Sequence, residues 1–141
     1  MSARTAAAVL VKGVAEGEVI VLDEPLSFSG GLDSETGRIT DRWHPQCGAV
    51  LSGKILSMES GRGSSSGSAV LAEALRRGTG PRGILLSRRD GIVSAGAIVA
   101  NNLYGVGCPV VFLPREERLK FGNAMRLKIV AGGGDAVIDA C

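Results

Sequence analysis

A chain of 141 residues with net charge +2, 45% hydrophobic and only 4% aromatic residues has room for one core built mainly from Val, Ile, Leu and Ala. Its basic residues are scattered and its aromatic rings few, which excludes a nucleic-acid binder with its cations gathered on one face. The apolar run Ala6 to Val11 stops at Lys12, too short for a membrane span and without a signal-cleavage pattern, so the expectation is a soluble, cytoplasmic protein forming a single domain over residues 1–141.

In chain order, the β-rich runs Val9 to Val14 and Glu18 to Leu22, with Glu16 and Gly17 between them, predict a hairpin. Asp23 to Gly37 carries Pro25, Gly30, Gly31 and Gly37 and reads as one long loop, with a short strand at Leu26 to Phe28. Val50 to Met58 is a strand broken or bulged at Gly53, and the serine-glycine stretch follows it. Ser68 to Arg77 is a helix capped by the preceding serines and stopped by Gly78, with Val70, Leu71, Ala74 and Leu75 on one face. Gly83 to Ser87 is a buried strand, Ser94 to Tyr104 a helix capped by Ser94, and Pro109 to Phe112 a further strand. Met125 to Val130 and Ala136 to Ile138 close the chain. Alternation of strand and helix demands a parallel component, so the predicted fold is α/β with a central partly parallel sheet, helices and a β-hairpin.

The chemistry is concentrated in Gly61-Arg62-Gly63-Ser64-Ser65-Ser66-Gly67-Ser68. Glycines let a backbone approach a ligand, and the helix that follows aims N–H groups and partial positive charge at it, which suits a carboxylate or phosphate. The spacing lacks the lysine of a phosphate-binding loop and misses Gly-x-Gly-x-x-Gly by one residue. Gly63 to Gly67 matches Gly-x-Ser-x-Gly, but the one histidine, His44, precedes the serine, whereas a hydrolase of that type places it after. A flexible linker ending in a helix cap is the plain structural alternative.

A strand followed by Gly-x-Gly-Ser-Ser and a helix resembles the swivel domain of aconitase and isopropylmalate isomerase, with Ser64 at the position of the family's base and Ser66 and Gly67 departing from its arginine and glutamate. A nearer resemblance joins Pro25 to Asp33, Glu35 to Ile39, His44-Pro45, Gly61 to Ser68 and Gly96 to Ala100, which together look like the small subunit of aconitase X; Ser29 and Ser34 depart from it. This resemblance implies a swivelling β/β/α domain of the aconitase type. It also implies a two-subunit hydro-lyase whose large subunit holds an iron-sulfur cluster and most of the substrate site. Ser64 would then be the catalytic base, with Arg62, Gly63, Ser65 and Ser66 binding a small hydroxy acid. The substrates it implies are cis-3-hydroxy-L-proline, favoured by the arginine-rich composition, or the 5-phosphate of mevalonate.

Gly91 to Ala100 is also similar to the mobile phosphohistidine domain of enzymes that use phosphoenolpyruvate, but Ala95 stands where that histidine belongs, which excludes phosphoryl carriage. His44 beside Pro45 reads as structural, and Cys47, Cys108 and Cys141 are too few and too far apart for a disulfide framework or a cluster motif. An anion-binding module without catalysis is the alternative from another functional class.

Overall fold

The computed structural model describes residues 4–63 and 65–141. In chain order it contains β1 (Arg4–Val11), β2 (Gly13–Val21), α1 (Phe28–Gly31), β3 (Leu32–Asp33), β4 (Arg38–Ile39), β5 (Ile55–Met58), α2 (Ser66–Arg77), β6 (Gly83–Leu86), α3 (Gly91–Tyr104), β7 (Val110–Phe112), α4 (Arg115–Arg118), β8 (Arg126–Ala131) and β9 (Asp135–Ala140). Seven strands close into a barrel in the order β1-β7-β6-β5-β2-β8-β9, with β9 returning to β1. The stretch β2-β5-β6-β7 is parallel, and the remaining pairs are antiparallel. The partly parallel sheet expected from the sequence is therefore present, curled until its edges meet.

Side-chain alternation divides the core in two. Ile55, Leu85, Val111, Leu127, Ile129 and Ile138 fill the barrel. Leu56, Met58, Ile84, Leu86 and Val110 point outward and meet Leu71, Leu75, Val93 and Ala97 of α2 and α3. Every residue of β5 and β6 is consequently buried, as in a parallel strand covered by helices on its outer face, whereas β8 alternates exposed and buried positions. Each buried Leu or Ile contributes about 1.5–3 kcal/mol by leaving water.

The hairpin expected between Val9 and Leu22 does not form. Glu16 and Gly17 lie inside β2, paired with Lys128 and Leu127, while β1 pairs with β7 and β9. Gly17 serves a close approach and makes no turn, since a Cβ there would lie 2.7 Å from the Gly53 carbonyl oxygen. The hairpin of the barrel is β8 and β9, joined through Gly132 to Gly134.

The long loop is better structured than its breakers suggest. Leu26 alone makes a strand-like bridge, to Gly61, and Phe28 begins the single turn α1. Val50 bridges Arg38, and the break at Gly53, with φ of 73°, delays β5 until Ile55. Both long helices begin earlier than expected, at Ser66 and Gly91, and α2 stops as predicted at Gly78 in the left-handed conformation. Ser94 is not the cap of α3: Asp90 is, its side chain accepting from the N–H groups of Ile92 and Val93.

Candidate functional site

Parallel strands that share a direction deliver their following loops to one end of a barrel, and helices that follow them start there. Here β5 runs into Glu59-Ser60-Gly61 and on to α2, β6 runs into Ser87 to Asp90 and on to α3, and β2 runs into the Leu22 to Ser27 segment. The predicted site stretch is thus held among three converging segments. Gly61 bridges Leu26 and donates its N–H to Asp90 Oδ2 at 2.9 Å, and the Arg62 N–H donates to the Leu26 carbonyl at 3.1 Å. Gly63 has φ of 103°, which disfavours any residue with a Cβ, and the Ser27 hydroxyl lies where that Cβ would go.

Arg62 is exposed, and its Nη2 lies 3.4 Å from Asp41 Oδ2. Ser65, also exposed, stands at the N-cap of α2, but its side chain caps no N–H, contrary to expectation. Its φ and ψ of −60° and −19° are already helical, which turns the hydroxyl away from the cap position. Its carbonyl instead accepts from the backbone N–H and the hydroxyl of Ser68. Ser66 opens α2 and donates its hydroxyl to Ser29 Oγ at 2.9 Å. Ser64, the expected base, lies outside the described residues. The structure therefore brings Arg62, Gly63, Ser65 and Ser66 together on an open face at the positive end of α2. Two cavities of about 490 and about 520 Å³ open elsewhere, the first around Gly53, Gly80 and Lys128 and the second around Lys12, Ile98 and Asn101.

Three residues that the sequence did not single out support this face. Asp90 binds both the loop and α3, and an aspartate just ahead of a helical apolar pattern was the signal that could have revealed it. Asp41 holds Arg62 with one carboxylate oxygen and the Trp43 N–H with the other. Arg118 is 3% exposed and closes the barrel beneath Glu59: Nε donates to Ser87 Oγ at 2.6 Å, Nη1 to Ser57 Oγ at 2.9 Å, and Nη2 reaches Glu59 Oε2 at 3.4 Å. Burial lowers the Arg118 pKa, and the Glu59 carboxylate opposes that shift.

His44 is buried, with Nε2 3.0 Å from the Glu24 carbonyl and Nδ1 accepting from the Gln46 N–H. Both ring nitrogens thus serve to hold the 40–47 turn. Cys47 and Cys141 are exposed, whereas Cys108 is buried and its thiol is pushed up to about 12 by the loss of solvent. No group of three His, Cys, Asp or Glu side chains is placed to hold a metal among the described residues, so these do not fit the ligand set of a cluster.

Residues 4–137 match the family model described as the aconitase X swivel domain. The chain belongs to the aconitase X swivel-domain family. Among curated relatives of this family, the phosphomevalonate dehydratase small subunit of Pyrococcus furiosus is 42% identical over 118 residues, covering 84% of each chain. The cis-3-hydroxy-L-proline dehydratase of Hypocrea jecorina is 40% identical over 127 residues, covering 90% of this chain but only 21% of its own length. The chain therefore spans about a fifth of that relative. Among solved structures, the holo-form of aconitase X from Thermococcus kodakaraensis superposes with a TM-score of 0.82 at 34% identity, covering 96% of this chain and 98% of that one. The expected swivel-type fold is thus shown by both sequence and shape. Among the described residues, no helix is long and apolar enough to cross a membrane.

Proposed function

We propose that this chain is the small, swivelling part of a cytoplasmic aconitase X-type hydro-lyase, acting as half of an active site completed by a larger partner chain. The observation that carries this reading is the open face itself. A backbone fixed at Gly61 and Arg62 presents Arg62, Ser65 and Ser66 to solvent at the start of α2, a face that a partner chain could cover. The relatives named dehydratases, one of them a small subunit, support it.

In this proposal Ser64 removes the proton from the carbon next to the substrate carboxylate. The electron pair of that C–H bond becomes the new C=C bond as the neighbouring hydroxyl departs with the C–O electron pair and takes up the proton that Ser64 had earlier released, leaving as water. A serine hydroxyl is a weak base, so Ser64 must first lose its own proton, and the resulting oxyanion needs stabilisation by N–H dipoles and cationic charge in a water-poor cleft. The start of α2 and Arg62 supply these, and closure by the partner supplies the dryness. Arg62 would exchange Asp41 for the substrate carboxylate, a stronger bidentate partner than the 3.4 Å contact it now makes. An iron-sulfur cluster, if the assembled enzyme uses one, is held by the partner, where it would supply Lewis-acid chemistry.

The proposed substrate is cis-3-hydroxy-L-proline. Similarity to the archaeal small subunit over 84% of both chains supports a second substrate, the 5-phosphate of mevalonate. Assaying the complex, co-expressed with its large chain, against both compounds decides between them. Ser64→Ala is expected to abolish dehydration while leaving assembly intact, and near-normal turnover would refute the role of Ser64. A colourless monomer that binds anions unaided would point to a binding module without catalysis.

A further inference from the structure

We infer that Asp90 is a positioning residue for the site, its carboxylate tying the backbone that leads into Ser64 to the first turn of α3. This rests on the half-site reading above. Oδ1 of Asp90 accepts from the N–H groups of Ile92 and Val93 at 2.9 and 3.1 Å, which is the ordinary work of a helix cap. A cap needs one oxygen. The second, Oδ2, accepts from the Gly61 N–H at 2.9 Å, across 29 residues of sequence.

The adjoining amide, that of Arg62, is held by the Leu26 carbonyl. Two consecutive N–H groups are thus fixed by two different elements just before the stretch that faces the substrate. The approach is close, since a Cβ on Gly61 would lie 3.0 Å from both Asp90 Oδ2 and Val93 Cγ2. The loop backbone lies directly against α3, and any movement of Asp90 is passed to it.

The test separates the two bonds. Asp90→Asn retains one carbonyl oxygen to cap α3 but turns an NH₂ toward the Gly61 N–H, placing donor against donor. Asp90→Ser also caps a helix, but its side chain is shorter by one carboxyl carbon. Both variants are assayed in the assembled complex for kcat and KM, and amide hydrogen exchange is followed in the full chain. A partly buried hydrogen bond lost in this way corresponds to roughly a tenfold effect. The expected result is a kcat lowered by about that factor with KM within about threefold, faster exchange at Gly61, and unchanged protection at Ile92 and Val93. Unchanged Gly61 protection in both variants would overturn the inference, as would loss of α3 protection in step with activity. If the wild-type complex dehydrates neither candidate substrate, the proposed reaction fails, while exchange at Gly61 still decides what Asp90 does.

Discussion

Replacing Arg118 by Met removes the guanidinium that closes the barrel while keeping a side chain of similar length, so little cavity is created. Three groups lose a donor: Ser57 Oγ, fully buried; Ser87 Oγ, half-buried; and the Glu59 carboxylate, 29% exposed. Leaving a buried hydroxyl unsatisfied costs about 1–3 kcal/mol. Breaking a buried ion pair from one side costs about 3–5 kcal/mol, but Glu59 can regain water, which reduces that share, and the desolvation that burdens Arg118 itself is relieved. The expected net loss is about 2 kcal/mol, or about 6–10 °C in Tm for a chain of this size. Urea unfolding followed by far-ultraviolet circular dichroism measures it, since Trp43, 91% exposed, would change its emission little. An Arg118→Met protein as stable as the parent would refute the assignment of Arg118 as a satisfied structural plug.

Gly96→Val should disrupt the crossing of α2 and α3, because its Cβ would fall 2.9 Å from the Ser68 carbonyl oxygen and 3.1 Å from Leu71; a loss of about 1–3 kcal/mol in chemical denaturation is expected. Gly63→Ala should reduce turnover of the assembled enzyme more than it reduces stability, since strain of about 1–2 kcal/mol falls on the loop and not on the core; equal losses in the two assays would contradict this. Burial raises the Cys108 thiol above its unfolded value, so its contribution to stability is fully present below pH 9 and is lost as pH rises from about 9 toward 12; Cys108→Ala should flatten that alkaline slope in pH-dependent unfolding. In the native chain a thiol reagent should modify Cys47 and Cys141 and spare Cys108, as mass spectrometry would show.

The candidate site was legible because its glycines and serines lie between the apolar β5 and the amphipathic α2, whose types follow from local pattern. The closure of the barrel was not. Whether β1 pairs with β2 or with β7 and β9 is settled by contacts about a hundred or more residues apart, and the glycine at position 17 looks the same in sequence whether it makes a turn or admits Gly53. Asp90 and Ser94 are both acceptable N-caps in sequence, and only the packing of α3 on the sheet selects the earlier one. Arg118 carried no signal at all, because an arginine in a charged Arg-Glu-Glu-Arg run reads as solvated until the barrel supplies two serines above it. Ser64 was reached through family resemblance, and local physics would have served Ser65 equally well.

β1 runs antiparallel to β7, and β9 antiparallel to β1, so Arg4 and Asp139 lie side by side with a 3.0 Å ion pair between them. That places the outer ends of both strands at the same end of the barrel as the Gly61 stretch. A longer polypeptide joined at either point would therefore emerge beside the open face, not behind it. Such a tether converts docking into an intramolecular event, with an effective concentration on the order of millimolar for a short linker. A separate partner chain would instead have to supply the same occupancy through affinity alone.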